Sequence, residues 1–326
     1  RVKPGVTKYG NDRGRLFMKP TTFLPLLLLG TALATPAAAQ TTRTVIHVGH
    51  LLAEPGKPAK GASTIVVEGG KIASIADGHQ PAESGAALID LKDKYALPGL
   101  IDSHVHLTSD AGGIAGQLEE ITLSPAAQAF NAEVNGMKTL RAGFTTVRNL
   151  GDGDGATLAL RDAIAAGKVQ GPRIIDAGNS ISGSAGHMDG SLGYRDELHP
   201  FFAGAGNTCD GADDCRRAVR RQIGRGADVI KFASTGGVNS RIGAGLGRQM
   251  FDDEAQAIVD TAHMFGKKVA VHAHGADGIR LALEAGADSI EHGTILDEPT
   301  IAAWTKSKAY YVPTLSTVNG YKERLA

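Results

Sequence analysis

The sequence is poor in cysteine, carries no net charge and has no long uninterrupted apolar run, and each shortage removes a class of protein. Two cysteines in 326 residues cannot build a disulfide-dense scaffold, and the spacing of Cys209 and Cys215, with no histidine nearby, does not match structural zinc motifs. The pair sits in Asn207-Thr208-Cys209-Asp210-Gly211-Ala212-Asp213-Asp214-Cys215, where a small loop disulfide is expected and two free buried thiols are the alternative. The 34 Lys/Arg and 34 Asp/Glu cancel. The first 39 residues hold six of the basic residues and one Asp, so the remainder has 28 against 33, net −5. That balance disfavours a nucleic-acid partner. The stretch Phe23 to Ala34 is apolar but short and contains Pro25, which argues against a stable membrane span. Preceded by Met18-Lys19 and followed by Ala37-Ala38-Ala39-Gln40, it has the order of a secretory signal with cleavage near Ala39. The expected localisation is therefore periplasmic or secreted, with residues 1–17 an extraneous leader and 18–39 the signal.

What remains is 42% hydrophobic and 21% charged, a globular composition. Residues 40–96 read as a small β-sandwich domain, expected to be incomplete without a C-terminal part. Its short strands, Val45 to Val48, Thr64 to Glu68, Lys71 to Ala76 and Ala87 to Asp90, are separated by Gly and Pro turns, with a hairpin at Glu68-Gly69-Gly70-Lys71. Over 97–326 the pattern changes to strand, loop, helix. Seven strands are predicted, Leu97 to Ser103, Thr145 to Asn149, Arg173 to Ala177, Val229 to Ser234, Lys268 to His272, Ser289 to Glu291 and Tyr310 to Leu315. Helices are predicted between them at Ala126 to Ala142, Ala156 to Ala166, Asp213 to Arg225, Asp252 to Phe265, Asp277 to Ala285 and Glu298 to Lys306. Repetition of this unit predicts an α/β fold of the (β/α)8 TIM-barrel type that stops after about strand 7. The glycine-rich stretches 151–155 and 243–247 lack a full nucleotide fingerprint.

The titratable residues fall on this pattern in one place. His104 and His106 end the first predicted barrel strand, two residues apart and so on one side of it. Lys231 interrupts the apolar fourth strand, His272 ends the fifth and His292 follows the sixth. Singly, each has an ordinary reading: Lys231 paired with a carboxylate, His272 a satisfied core histidine, His292 a hydrogen bonder at a loop top. Barrel sites form at the carboxyl ends of strands, where residues distant in sequence converge. Five coincident placements favour chemistry.

The order His-x-His, Lys, His, His resembles the amidohydrolase superfamily, in the branch with a binuclear metal centre bridged by a carboxylated lysine. The likeness runs from about Val45 to Leu315. It rests on Pro98-Gly99-Leu100-Ile101-Asp102-Ser103-His104-Val105-His106, Val229-Ile230-Lys231-Phe232, Val271-His272-Ala273-His274-Gly275 and Ile290-Glu291-His292-Gly293, which look most like the exported prolidase-like, carboxypeptidase-like and ochratoxin-hydrolysing members. The resemblance implies two divalent ions, zinc foremost: one on His104 and His106, one on His272 and His292, with Lys231 as a CO2-derived carbamate bridging both. Lys231, His272 and His292 are then catalytic as well as metal-binding. It implies a substrate contact for His187, and a supporting or substrate role for His274. Arg148, Tyr194 and Arg241 are further candidates for a substrate carboxylate.

Such a centre hydrolyses amide or peptide bonds, here of small-molecule dipeptides or N-acyl amino acids, by a metal-activated water. The family's proton shuttle is an aspartate ending strand eight, and no eighth strand is read in these 326 residues, so poor activity is expected of the chain alone. A mononuclear deaminase or imidazolone-type cyclic amidohydrolase needs no bridging lysine, and Lys231 separates that alternative. A non-catalytic metal- or ligand-binding barrel is the second alternative. A homo-oligomer is permitted but not implied.

Overall fold

A computed structural model describes residues 43–111, 113–238, 240 and 245–325. The leader and signal segments, and Arg241, lie outside them. Two compact units divide after Ala96. In the first, β1 (Arg43–Leu51), β2 (Ser63–Glu68), β3 (Lys71–Asp77) and β4 (Ala87–Ala96) form one sheet of order β3-β2-β1-β4. β1 pairs antiparallel with β2 and parallel with β4. Val45, Val48, Leu51 and Val66 are buried, whereas Ile72, Ile75, Leu88, Ile89 and Tyr95 on β3 and β4 are exposed. Among the described residues this unit is one four-stranded sheet. The β2–β3 turn uses Gly69 and Gly70 at φ 56° and 76°, the left-handed pair that a tight hairpin requires.

The second unit alternates strands and helices. Its strands are β5 (Leu100–Val105), β6 (Phe144–Asn149), β7 (Arg173–Asp176), β8 (Val229–Ala233), β9 (Lys268–Ala273), β10 (Ser289–His292) and β11 (Tyr310–Val312). All neighbouring pairs are parallel, in two sheets of order β5-β6-β7 and β11-β10-β9-β8. The sheets meet where Ile181, beyond β7, donates to Lys231 O at 2.8 Å and accepts from Ala233 N at 3.0 Å. No pairing between β5 and β11 is seen among the described residues, so the sheets do not close into a barrel. β11 is shorter than predicted because Pro313 has no N–H to continue the ladder.

The helices are α1 (Gly113–Thr122), α2 (Pro125–Arg141), α3 (Ala156–Ala165), α4 (His199–Ala203), α5 (Ala212–Gly224), α6 (Asp252–Met264), α7 (Ala276–Glu284), α8 (Glu298–Lys306) and α9 (Ser316–Leu325). Local chemistry sets several starts. Ser124 caps α2 ahead of Pro125, and Asp297 caps α8 by accepting from Thr300 N. On α6, Ala255, Ile258, Val259 and Ala262 recur at helical spacing and are buried. They join Ile230, Phe232, Val271, Ile279 and Ile290 in one apolar cluster, each large side chain contributing about 1.5–3 kcal/mol. The helices α1, α4 and α9 were not predicted. Cys209 and Cys215 are joined in a disulfide at the start of α5. No described helix is long and apolar enough to cross a membrane.

Candidate metal centre and its cavity

The carboxyl ends of β5, β8, β9 and β10 carry the polar residues that the sequence singled out. Ring centroids step from His106 to His104 at 5.3 Å, to His292 at 5.0 Å, to His272 at 4.7 Å and to His187 at 4.2 Å. His274 stacks on His292 at 4.8 Å. One ligand nitrogen from each of His272, His274 and His292 lies within 4.8 Å of the others. The structure thus places His274, expected beside the centre, in the tightest histidine group.

Each ring is oriented by a neighbour. His104 Nδ1 lies 2.9 Å from Glu291 Oε2, and His106 Nδ1 lies 2.7 Å from Gly151 O. Because a carboxylate and a carbonyl can only accept, both Nδ1 atoms donate and both Nε2 atoms keep a free lone pair. His292 Nδ1 meets Thr314 Oγ1 at 2.8 Å, and that hydroxyl donates to Pro313 O, which again leaves Nε2 free. For His272 the order reverses: Nε2 faces Gly236 O at 3.2 Å and Nδ1 is left. His292 also takes φ 70°, a conformation costing a non-glycine residue about 1–2 kcal/mol. Such strain gathers at functional sites.

Burial keeps His104, His272, His292 and His187 neutral. It pushes His104 and His272 far below the usual imidazole range, helped at His104 by the Lys231 charge and at His272 by His187 and Lys231. His292 is lowered to about 3 and His187 to about 4, burial again leading. His104 and Glu291 are therefore a neutral donor and a carboxylate rather than an ion pair. Lys231 is 1% exposed and its Nζ has no hydrogen-bond partner. Burial lowers it to about 8 against the opposing pull of Glu291. An orphaned ammonium in an apolar strand is costly, and neutral nitrogen donors with an unused amine among them fit a site for divalent cations.

Glu291 escaped the sequence reading. It is fully buried and accepts from His104, from Arg148 Nη2 at 2.7 Å and from Ser289 Oγ at 2.6 Å. An acidic residue inside the apolar strand Ser289-Ile290-Glu291-His292 was the available signal. Arg148, expected near a substrate carboxylate, is engaged instead by Glu291, Ser289 Oγ and Ser103 O. The Tyr194 hydroxyl donates to Gln117 O and lies 3.5 Å from Glu120 Oε2, both residues of the wall of the cavity that opens beside His106 and His187. His187, expected to contact substrate, lies with its ring centroid 4.2 Å from that of His272. Its Nδ1 pairs with Ser240 Oγ at 2.8 Å, and a Cβ at Gly237 would lie 2.2 Å from the ring, so only glycine admits it there.

Beside His106 and His187 opens a cavity of about 640 Å³, ample for a dipeptide-sized ligand. Its walls come from the loops after β5, β6, β7 and β8 and from α1, α2 and α4.

Residues 95–324 match the profile of the amidohydrolase family. The chain is 30% identical over 299 residues to ochratoxinase of Aspergillus niger, which covers 84% of this chain and 59% of that protein. The chain thus spans under two thirds of that relative's length. Among solved structures it resembles a Xaa-Pro dipeptidase with bound methionine in its active site (TM-score 0.80, 36% identity, 87% of this chain and 69% of that one). It also resembles A. niger ochratoxinase (TM-score 0.72, 26% identity, 87% and 68%).

Proposed function

The chain belongs to the amidohydrolase family, which acts on C–N bonds by hydrolysis, and from that membership we propose that it cleaves dipeptides or N-acyl amino acids at a binuclear metal centre. The observation that carries the proposal is the buried, unpartnered amine of Lys231 on the same sheet as His272 and His292. Likeness to a Xaa-Pro dipeptidase and to ochratoxinase supports the substrate class.

His104 and His106 would hold one ion through Nε2, and His272 and His292 the second, with His274 adjoining. When bound, two divalent ions, zinc foremost, supply Lewis-acid polarisation of the scissile carbonyl and lower the pKa of water. Lys231, lowered to about 8, presents an appreciable fraction of neutral amine near neutral pH. Once the ammonium has lost its proton, the neutral Nζ can add to CO2, forming one N–C bond as a C=O π pair moves onto oxygen and releasing one further proton, and the carbamate so formed would supply anionic oxygen ligands where a buried cation stood. Glu291 holds the His104 tautomer. Arg148 holds Glu291 in turn, with Ser103 O and Ser289 fixing the guanidinium. The cavity positions the substrate against this row, with His187 at its inner wall.

Export belongs to the same proposal. It is supported by the signal-like order of residues 18–39 and by the Cys209–Cys215 disulfide, a bond that persists in oxidising compartments.

The test is to strip the chain with a chelator, reload it with zinc, and follow release of free amino acid from dipeptide and N-acetyl amino acid panels. Cleavage that disappears on stripping and returns on reloading is expected. Cleavage unaffected by stripping, or none above the stripped chain after reloading, would contradict the reading.

A further inference from the structure

The hydrolytic reading uses Cys209 and Cys215 only as a sign of export. Their disulfide joins residues with a sequence separation of 6. Closing so short a loop constrains the unfolded chain less than closing a long one, so its main effect is local. Cys209 and Cys215 are 1% and 0% exposed and belong to the main apolar cluster together with Ala218 and Val219 of α5. The bond therefore ties residues 207–210 to a helix that is packed into the core.

Residues 207–210 in turn brace the loop after β7 that carries His187. Ser182 N donates to Asn207 O at 3.0 Å, and Cys209 N donates to Ser182 O at 2.9 Å. Asn207 Nδ2 donates to Ser180 O at 2.7 Å and to Met188 O at 3.0 Å, gripping the loop on both sides of His187. Asp210 accepts from Ser184 N at 3.1 Å and from Ser184 Oγ at 2.7 Å.

A second observation is independent of the disulfide. Ala185 takes φ 60°, a left-handed conformation that a residue with a Cβ rarely adopts. Such backbone persists only where the surroundings over-determine it. Asp210 holds Ser184 on one side, and Asp189 Oδ2 accepts from Ala185 N at 2.9 Å on the other. Two residues further on, His187 N donates to Gln249 Oε1 at 2.9 Å and the ring lies 4.2 Å from that of His272.

Resting on the proposed hydrolysis, in which His187 forms the inner wall of the substrate cavity, we propose that the Cys209–Cys215 disulfide and Asp210 are positioning elements for that ring. The disulfide fixes segment 207–210, the segment fixes the strained turn at Ala185, and the turn sets where the imidazole meets substrate. Neither the disulfide nor Asp210 lines the cavity, so each acts through His187.

The experiment compares the zinc-loaded chain with Cys209→Ala/Cys215→Ala, Asp210→Ala, Asp210→Asn and His187→Ala. Amide hydrogen exchange is followed over residues 182–188, with β8, β9 and β10 as the reference. In parallel, kcat/KM is measured on a cleaved member of the dipeptide and N-acetyl amino acid panels. Replacing both cysteines is expected to speed exchange of 182–188 about ten-fold, leave the reference strands unchanged and lower kcat/KM about ten-fold. Asp210→Ala is expected to change both about three-fold. Because Asp210 is exposed, this variant decides the question even where the cysteine variant does not fold. Asp210→Asn, whose side-chain oxygen still accepts from Ser184 N, should keep both at the level of the unaltered chain. Once His187 is replaced, loss of the disulfide or of Asp210 should cost nothing further in kcat/KM; losses that add in full would show action by another route and overturn the proposal. Unchanged exchange over 182–188, or unchanged kcat/KM, in both the cysteine variant and Asp210→Ala would overturn it as well. A zinc-loaded chain that cleaves no panel member yet shows the localised rise in exchange upholds the brace and counts against hydrolysis. Cleavage with exchange and kcat/KM alike in every brace variant does the reverse.

Discussion

The two sheets of the second unit share one design but differ in burial. In β8, β9 and β10 nearly every residue is buried, Lys231, His272 and Glu291 included. In β5 and β7, by contrast, exposed and half-buried residues are common; Leu100 and Ile101 are open, and the side chain of His106, just past β5, is 47% exposed. A polar group within β8, β9 or β10 bears a full desolvation cost and must be compensated by partners or by chemistry. A polar group at an exposed position of β5 or β7 can rest in water. The Lys231 amine, uncompensated within the more buried sheet, is therefore the sharpest functional signal in the molecule.

That contrast can be broken in order of effect. Lys231→Met should cut metal-dependent amide hydrolysis by on the order of 10³-fold, about 4 kcal/mol of barrier, while leaving the melting temperature unchanged or higher, because an orphaned charge is replaced by an apolar side chain of similar length. A clear loss of stability would instead mark Lys231 as a structural partner. Glu291→Gln should have the opposite profile. It uncouples the Arg148 guanidinium and the His104 donor, so unfolding in urea should show a loss of about 3–4 kcal/mol, and a loss under 1 kcal/mol would show the network to be idle.

Asp176 sharpens the comparison from the other sheet. It is fully buried, accepts from Gly178 N, and burial raises its pKa to about 6. Since folding favours its protonated form, its stabilising contribution is complete below about pH 3.8 and is lost as pH rises through 6. The difference amounts to no more than about 3 kcal/mol. Asp176→Asn should flatten this part of the stability profile between pH 4 and 7, measured by denaturant unfolding. An unchanged slope would show that Asp176 is not its source.

Strand and helix order in the second unit was legible because the chain repeats an apolar strand and a helix, five of the six predicted helices being followed by glycine. The positions of His104, Lys231, His272 and His292 followed from that order alone. Glu291 was not legible, since its partners His104, Arg148 and Ser289 come from three strands and only the fold brings them together. Arg148 was misplaced for the same reason: a guanidinium at a strand end looks free until its acceptors are known.

The central claim is that Lys231 and the histidine row form one binuclear centre. Metal content measured by mass spectrometry after zinc loading and desalting tests it most directly, on the unaltered chain and on Lys231→Met. The account predicts two ions per chain, falling to one or none in the variant. A single ion, equally retained when Lys231 is replaced, would contradict it.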